Sequence, residues 1–194
     1  MPSAATGALH PDLLSLAGQI RETLVNFESL CVGLSSSQFN WSPAPASWSV
    51  AQCLTHLNSA NAQDLPVLST AIAAATLRHP GPYRYSWLWR TFVQFMEPPV
   101  TTKFKAPKFY LPPPTAEPAA TLREYHRVSN ALLDLIAQAN GLDLARIKTP
   151  LPSIPFLKMP LGARLALITA HDRRHLVQAR HVCAQSAFPT WSAP

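Results

Sequence analysis

Cysteine is scarce in this chain of 194 residues, and the pattern of the three that occur argues against a disulfide framework. Cys31, Cys53 and Cys183 are odd in number, far apart in the sequence and outside any C-x-x-C pattern. Small domains that depend on disulfides carry cysteines in even number at short spacings. The cysteine usage therefore suits a reducing compartment, and we expect a cytoplasmic protein.

Long apolar runs and a leader-like N-terminus are also missing. No stretch approaches the 18 or so apolar residues that a membrane span requires. The first seven residues lack the basic region and the apolar region of a signal peptide. These absences predict a protein that is not exported and has no membrane partner.

Charged residues are few, at 13%, whereas 47% of the chain is hydrophobic, which favours a compact fold over a disordered chain. The length suits one domain over residues 1–194 and is short for two. Lysine and arginine exceed the acids and give a net charge of +6. The densest basic group, Lys103, Lys105 and Lys108, alternates with aromatic residues. We interpret it as a solvated loop rather than a phosphate-binding patch, and expect no nucleic-acid partner.

Four stretches have the three- and four-residue apolar spacing of amphipathic helices, and none has the strict alternation of a strand. The second begins at a capping box, in which Ser49 is followed three residues later by Gln52. Residues 1–8 are small and polar and should be frayed. The pattern predicts an all-α fold, a four-helix bundle. The four helices are expected over about residues 10–33, 49–77, 119–140 and 160–185.

A long crossover over residues 79–118 joins the second and third predicted helices. It is rich in proline and aromatic residues, and residues 87–96 could form a short helix within it. Connections of this length are often lids or binding loops. The alternative is a cover that closes the core, and the sequence leaves both readings open.

Three histidines have the placement of a metal site. His171 and His175 are four residues apart, so on a helix their imidazoles lie one turn apart on the same face. His56 lies on the second predicted helix and can meet them inside a bundle. Three neutral imidazoles suit zinc, nickel or iron(II) and leave a coordination position open. The alternative is that these histidines are satisfied by hydrogen bonds in the core.

Three motifs in the sequence resemble those of the DinB-like metalloprotein superfamily. They are Asn40-Trp41-Ser42-Pro43, the segment from Trp48 to Leu57, and the segment from Ala170 to Gln178. The resemblance implies a four-helix bundle of up-down-down-up topology with a divalent metal on three histidines, which match His56, His171 and His175. It also extends to the order and spacing of the helices over nearly the whole chain.

The resemblance further implies a metal-dependent enzyme acting on a small molecule. Relatives include transferases and isomerases that use low-molecular-weight thiols such as mycothiol or bacillithiol, and others are described as metal-dependent hydrolases. We therefore expect a thiol-dependent S-transferase or a hydrolase. The alternative is a non-catalytic binding module that metal stabilises or that responds to stress. Gln52 stands where relatives often carry Glu, so a carboxylate base is not predicted at this position.

Several other side chains are candidates for the surroundings of the metal. Cys53 is either a fourth ligand or reactive thiol, or a small core residue. Asp172 and Gln178 either orient the ligands or face solvent and cap a neighbour. His126 and His181 are interpreted as ordinary polar positions, and homodimerisation through helix faces is a further expectation. The side chains expected to support the ligands are Gln52, Cys53, Asp172 and Gln178, and those expected in the pocket wall are Trp48, Trp87 and Phe92.

Overall fold

The computed structural model describes residues 8–45, 47–79, 81–99, 110–151 and 154–190. Within these ranges the chain forms six helices and one two-stranded hairpin, which confirms the predicted helical fold class. The elements in chain order are α1 (Pro11–Cys31), α2 (Ser36–Phe39), α3 (Val50–Ala73), α4 (Trp87–Met96), α5 (Pro118–Gln138), β1 (Lys148–Leu151), β2 (Ile154–Pro160) and α6 (Leu161–Cys183).

The four long helices α1, α3, α5 and α6 make the predicted bundle. α3 packs against α5 and α6, and α1 packs against the same two helices. Helices α3 and α5 run in the same direction. Asn58 of α3 donates a hydrogen bond to the Thr121 carbonyl of α5, and one turn later along both helices Asn61 and Tyr125 donate to the same carboxylate, that of Asp172. Parallel neighbours cannot be joined by a short turn, so a crossover as long as the bundle is required between them.

Local sequence signals explain where the helices begin. The Ser49 side chain accepts the Gln52 backbone N–H at 3.1 Å, and the Gln52 side chain accepts the Ser49 N–H at 3.0 Å, so the predicted capping box starts α3. Proline occupies the first turn of α1 and of α5, where no backbone donor is needed. The starts of the three helices are therefore encoded locally.

Apolar side chains fill the bundle in two neighbouring clusters. The larger contains Leu13, Leu68, Leu132 and Ile168, one from each long helix. The other lies around Phe27 and Tyr125, whose rings meet edge to face at 5.2 Å, and includes the buried Phe39. Trp41 and Trp48 pack against this second cluster, so the loop before α3 covers one end of the bundle.

Two expectations about regular structure were wrong. A short helix, α2, interrupts the loop that was expected to be irregular. The proline-rich segment before α6 forms the antiparallel hairpin β1–β2, with Lys148 opposite Pro160, although no strand was predicted. Both strands of a two-stranded sheet are edges, so prolines that would break a central strand are tolerated there. β1 still alternates, with Thr149 and Leu151 buried.

The crossover is partly helical, as expected, because α4 forms within it. α4 packs against α6, and Trp89 contacts the small cluster of Leu151, Met159 and Ala163. None of the described helices is long and apolar enough to cross a membrane. Residues 1–7 of the segment 1–8 that was predicted to be frayed lie outside the described residues, as do the basic residues Lys103, Lys105 and Lys108.

Candidate metal centre

The three predicted histidines meet between α3 and α6. The Nε2 atom of His171 lies 3.3 Å from that of His56 and 3.0 Å from that of His175. One nitrogen from each ring can be chosen so that all lie within 4.8 Å of one another. The capping box at Ser49 places His56 in the second turn of α3, and the four-residue spacing stacks the other two rings on α6.

Hydrogen bonds orient two of the three rings. Nδ1 of His56 lies 2.9 Å from the carbonyl oxygen of Tyr110, and Nδ1 of His175 lies 2.9 Å from Oε1 of Gln178. Both partners are acceptors, so each Nδ1 carries the proton and each Nε2 presents a lone pair to the cluster. This is the tautomer that a metal-ligating histidine requires.

The arrangement fits a metal ion better than it fits a hydrogen-bonded core. With the Nδ1 protons in place, His171 can donate at most one Nε2 proton, so at least one of the other two Nε2 lone pairs has no donor within the cluster. Two nitrogens bound tetrahedrally to one ion at about 2.0–2.1 Å would be about 3.3 Å apart. Two of the three separations, 3.0 and 3.3 Å, agree with that geometry, and the ligand atoms of all three rings lie within 4.8 Å of one another.

The electrostatic surroundings keep these imidazoles neutral. Loss of hydration lowers the pKa of His171 to about 3, and nearby His56 and Arg174 act in the same direction. Burial also lowers the pKa of His175 well below its usual value and that of His56, whose bond to the Tyr110 carbonyl opposes the shift. Neutral imidazole is the metal-binding form, so the site is ready to bind at neutral pH.

Trp48 flanks the cluster on one side. Its ring is nearly parallel to that of His175 at a centroid distance of 5.4 Å, and it lies 4.8 Å from the ring of His56. Trp48 also borders a cavity of about 630 Å³, whose lining residues include Gln52, Ser42, Ser47 and Pro114. His171 remains partly accessible, whereas His56 and His175 are buried. The cluster is therefore enclosed on several sides but not sealed.

Four side chains were expected to support the ligands, and among them Gln178 forms a hydrogen bond with a candidate ligand histidine. Gln52 is committed to the α3 cap. Cys53 lies fully buried in the second apolar cluster and does not join the group of potential ligands among the described residues. Burial, and to a smaller extent nearby Cys183, raises the pKa of the Cys53 thiol, which agrees with a core residue rather than a reactive thiolate.

Asp172 points away from the histidines into the bundle. Its carboxylate accepts hydrogen bonds from Asn61 at 3.0 Å and from the Tyr125 hydroxyl at 3.1 Å. Burial raises the pKa of Asp172 to about 7, against the opposing effect of these two donors. It therefore ties α3, α5 and α6 together and orients no imidazole through a described hydrogen bond. The described residues also bring no carboxylate into the cluster.

The remaining candidates lie apart from the histidines. Trp87 is 75% exposed and Phe92 41% exposed on α4, so neither forms a buried wall in this structure. His126 pairs with Glu28 at 2.6 Å and links α5 to α1. His181 is exposed near the end of α6, as expected for an ordinary polar position.

Sequence reasoning missed one partner of the site and one ion pair two turns away from it. Tyr110 acts through its backbone carbonyl, which no side-chain pattern can reveal. Asp64 and Arg164 form an ion pair between α3 and α6. Because each lies about two turns from a ligand histidine on its own helix, this pair could have been found by extending the helical spacing from His56 and His171.

Comparisons with known proteins agree with the fold. The family model described as the DinB superfamily matches residues 19–179. Among solved structures, YfiT from Bacillus subtilis aligns with a TM-score of 0.62 and 13% identity, covering 94% of this chain and 91% of that one. It is described as a probable metal-dependent hydrolase with an unusual four-helix bundle topology. A search of curated proteins finds no match. With a family match over most of its length, and with the helices and histidines in place, the chain belongs to the DinB superfamily.

Proposed function

We propose that the cluster of His56, His171 and His175 binds one divalent metal ion and that the protein is a metal-dependent enzyme acting on a small molecule. The observation that carries the proposal is the convergence of the three Nε2 atoms, with the Nδ1 protons of His56 and His175 directed to acceptors outside the cluster. Zinc, nickel and iron(II) all accept such ligands.

A divalent ion on neutral imidazoles supplies Lewis-acid activation of a small nucleophile such as water or a thiol. The chain's own residues hold and shield that position. Tyr110 and Gln178 fix the ring orientations of His56 and His175, and Trp48 excludes water from one side. The partly accessible side, at His171, is where we place the entry of substrate.

The reaction we propose is hydrolysis or thiol-dependent S-transfer. The described residues supply no carboxylate base at the cluster, so activation of the nucleophile would depend on the ion. The cavity beside Trp48 is lined in part by hydroxyl and amide groups of Ser42, Ser47 and Gln52, and the described residues add no ionisable side chain to that lining, which suits an uncharged polar group of the substrate. The description of YfiT as a probable metal-dependent hydrolase supports the first reaction class.

The first experiment measures metal content in protein prepared without a histidine tag. We expect about one divalent ion per chain, and its loss in His56→Ala and in His175→Ala. His126→Ala is the matched control, because His126 is a half-buried histidine that lies outside the cluster. Absence of bound metal after incubation with zinc, nickel and iron(II) would refute the site.

The second experiment measures activity with the metal identified by the first. A panel of esters, amides and electrophiles, the last with low-molecular-weight thiols, is tested on the loaded protein and on His171→Ala. We expect turnover by the loaded protein alone. Activity retained by metal-free His171→Ala would contradict a metal-dependent reaction. Metal binding that raises stability without any turnover would instead favour a non-catalytic module.

A further inference from the structure

Helix α4 is apolar on two faces, and one of them packs against the bundle. Trp89 on the inner face packs near Met159 and Ala163, and the helix lies along α6. The end of α4 is fastened by Glu97, which pairs with Arg173 of α6. The helix is therefore docked on the bundle through one side, and its orientation fixes which residues point outward.

The outer face presents large apolar side chains. Trp87 is 75% exposed, Leu88 56% and Phe92 41%. Leu88 and Phe92 are one turn apart on one side of the helix, whereas Trp87 lies about 100° further round it, with Thr91 between Trp87 and Leu88, so the exposed apolar side chains span a broad arc. Isolated exposed apolar residues are common, but an apolar face on one short helix is typical of an interaction surface.

Most of the charged side chains of α4 and the segment before it are basic. The sequence contains no acid between Asp64 and Glu97, and Glu97 is already paired with Arg173. Two exposed cations are close to this face: Arg84 precedes α4, and Arg90 lies within it. Asp12 reaches this part of the chain from α1, where its carboxylate accepts the Tyr83 backbone N–H at 3.2 Å.

The hairpin next to α4 also exposes apolar and basic side chains. Trp89 of α4 packs against the cluster that contains Met159 of β2, so the two elements are neighbours. Phe156 on β2 is 88% exposed, and Lys158 is also exposed. The basic and apolar character is thus shared by two adjoining elements.

We infer that the outer face of α4, with Trp87, Leu88 and Phe92 flanked by Arg84 and Arg90, is a surface that docks on an anionic lipid bilayer. Trp, Leu and Phe insert into the boundary between headgroups and acyl chains, while arginines attract anionic headgroups. α4 has 10 residues and is about 15 Å long, too short to cross a bilayer, so the contact is with the surface. This inference departs from the sequence-based expectation of no membrane partner.

Two other occupants fit the observations less well. A second copy of the chain would bring the same arginines to the interface, and like charges oppose such pairing. A nucleic acid would satisfy Arg84 and Arg90, but its binding depends chiefly on phosphate contacts and gives the exposed Leu88 no partner. A bilayer with anionic headgroups accommodates both the charges and the apolar side chains.

The test is co-sedimentation of the full-length protein with vesicles of phosphatidylcholine alone and of equal parts phosphatidylcholine and phosphatidylglycerol. We expect binding to the anionic vesicles, little binding to the neutral ones, and weakening at high salt. Leu88→Ser should weaken binding about tenfold. Leu14→Ser is the matched control, because Leu14 on α1 is 58% exposed against 56% for Leu88. Similarly, Arg90→Gln should weaken binding, and Arg21→Gln, an exposed arginine on α1, should not.

Four results would overturn the inference. The first is absence of binding to anionic vesicles at low salt. The second is an equal loss of binding in Leu88→Ser and Leu14→Ser. The third is a dimer in light scattering that Leu88→Ser dissociates, without vesicle binding, which would assign the face to a second copy. Circular dichroism and thermal melting of each variant verify that it is folded. DNA binding that depends on Arg90 but not on Leu88, without vesicle binding, would likewise contradict a lipid surface.

Discussion

At the scale of single residues, the candidate site depends on two hydrogen bonds behind the ligands. The Tyr110 carbonyl and the Gln178 amide oxygen each accept an Nδ1 proton and so turn Nε2 of His56 and His175 toward the cluster. Groups that orient metal ligands commonly contribute one to two orders of magnitude in metal affinity. Of these two acceptors, Gln178 is the one that side-chain mutagenesis can remove.

We therefore predict that Gln178→Ala weakens metal binding by about 10- to 100-fold, because the His175 ring loses its orienting acceptor. Isothermal titration against a competing chelator measures the change. Gln63→Ala serves as the control, since Gln63 contacts only Ser59 on its own helix among the described hydrogen bonds. An unchanged affinity in Gln178→Ala would show that packing alone orients the ring.

A second prediction at this scale concerns pH. Protonation blocks an imidazole as a ligand, so metal affinity falls as pH drops through the pKa of the free site. Three independent histidines with an ordinary pKa near 6.5 would lose about 50-fold in affinity between pH 7.5 and 6.0. Burial lowers the pKa of all three histidines here, that of His171 to about 3. We expect a loss of less than about fivefold over this range.

Chelator competition at both pH values, corrected for protonation of the chelator, measures that ratio. A 50-fold loss would mean that the three imidazoles are hydrated and titrate as ordinary histidines in the free protein.

At the scale of elements, α3 and α6 are joined at two levels. The histidines lie at one level, and the Asp64–Arg164 ion pair lies two turns away. Burial raises the pKa of Asp64 and nearby Arg164 opposes that shift, so the pair is costly to desolvate and depends on both partners. Arg164 is only 3% exposed.

We predict that Arg164→Met or Asp64→Leu alone lowers the free energy of unfolding by about 3–5 kcal/mol, because each leaves a buried group without its partner. The double variant should be considerably more stable than the sum of the two single changes implies. Urea denaturation of all four proteins in a double-mutant cycle measures the coupling. Additive effects would show that the two side chains do not interact in solution.

At the scale of the whole molecule, metal binding should couple to stability. His56 belongs to α3, whereas His171 and His175 belong to α6, so the complete ligand set exists only in the folded bundle. A ligand that binds the folded state at a concentration 100 times its Kd adds about 2.7 kcal/mol of stability.

We therefore expect a concentration-dependent rise in melting temperature when the ion identified by metal analysis is added, and its reversal by a chelator. Scanning calorimetry of the wild type measures the shift, and His56→Ala provides the control without a complete site. An equal shift in that variant would place the stabilising ion elsewhere on the protein.

Local sequence signals determined much of this architecture. The capping box at Ser49 and the apolar spacing of the helices specify where segments become helical, because these effects act over one or two turns. The hairpin before α6 escaped detection, because its pairing partner and its edge position, not its own composition, make the strands possible.

The sequence by itself also indicated the candidate ligands, since the four-residue spacing of His171 and His175 needs only a helix to place both imidazoles on one face. Tertiary structure decided what surrounds them. It turned Asp172 toward Asn61 and Tyr125, placed Cys53 in an apolar cluster, and brought the Tyr110 carbonyl to His56 from 54 residues away in the chain. Spacing along a helix is set by its 3.6-residue period, whereas contacts between distant segments depend on how whole helices pack against each other.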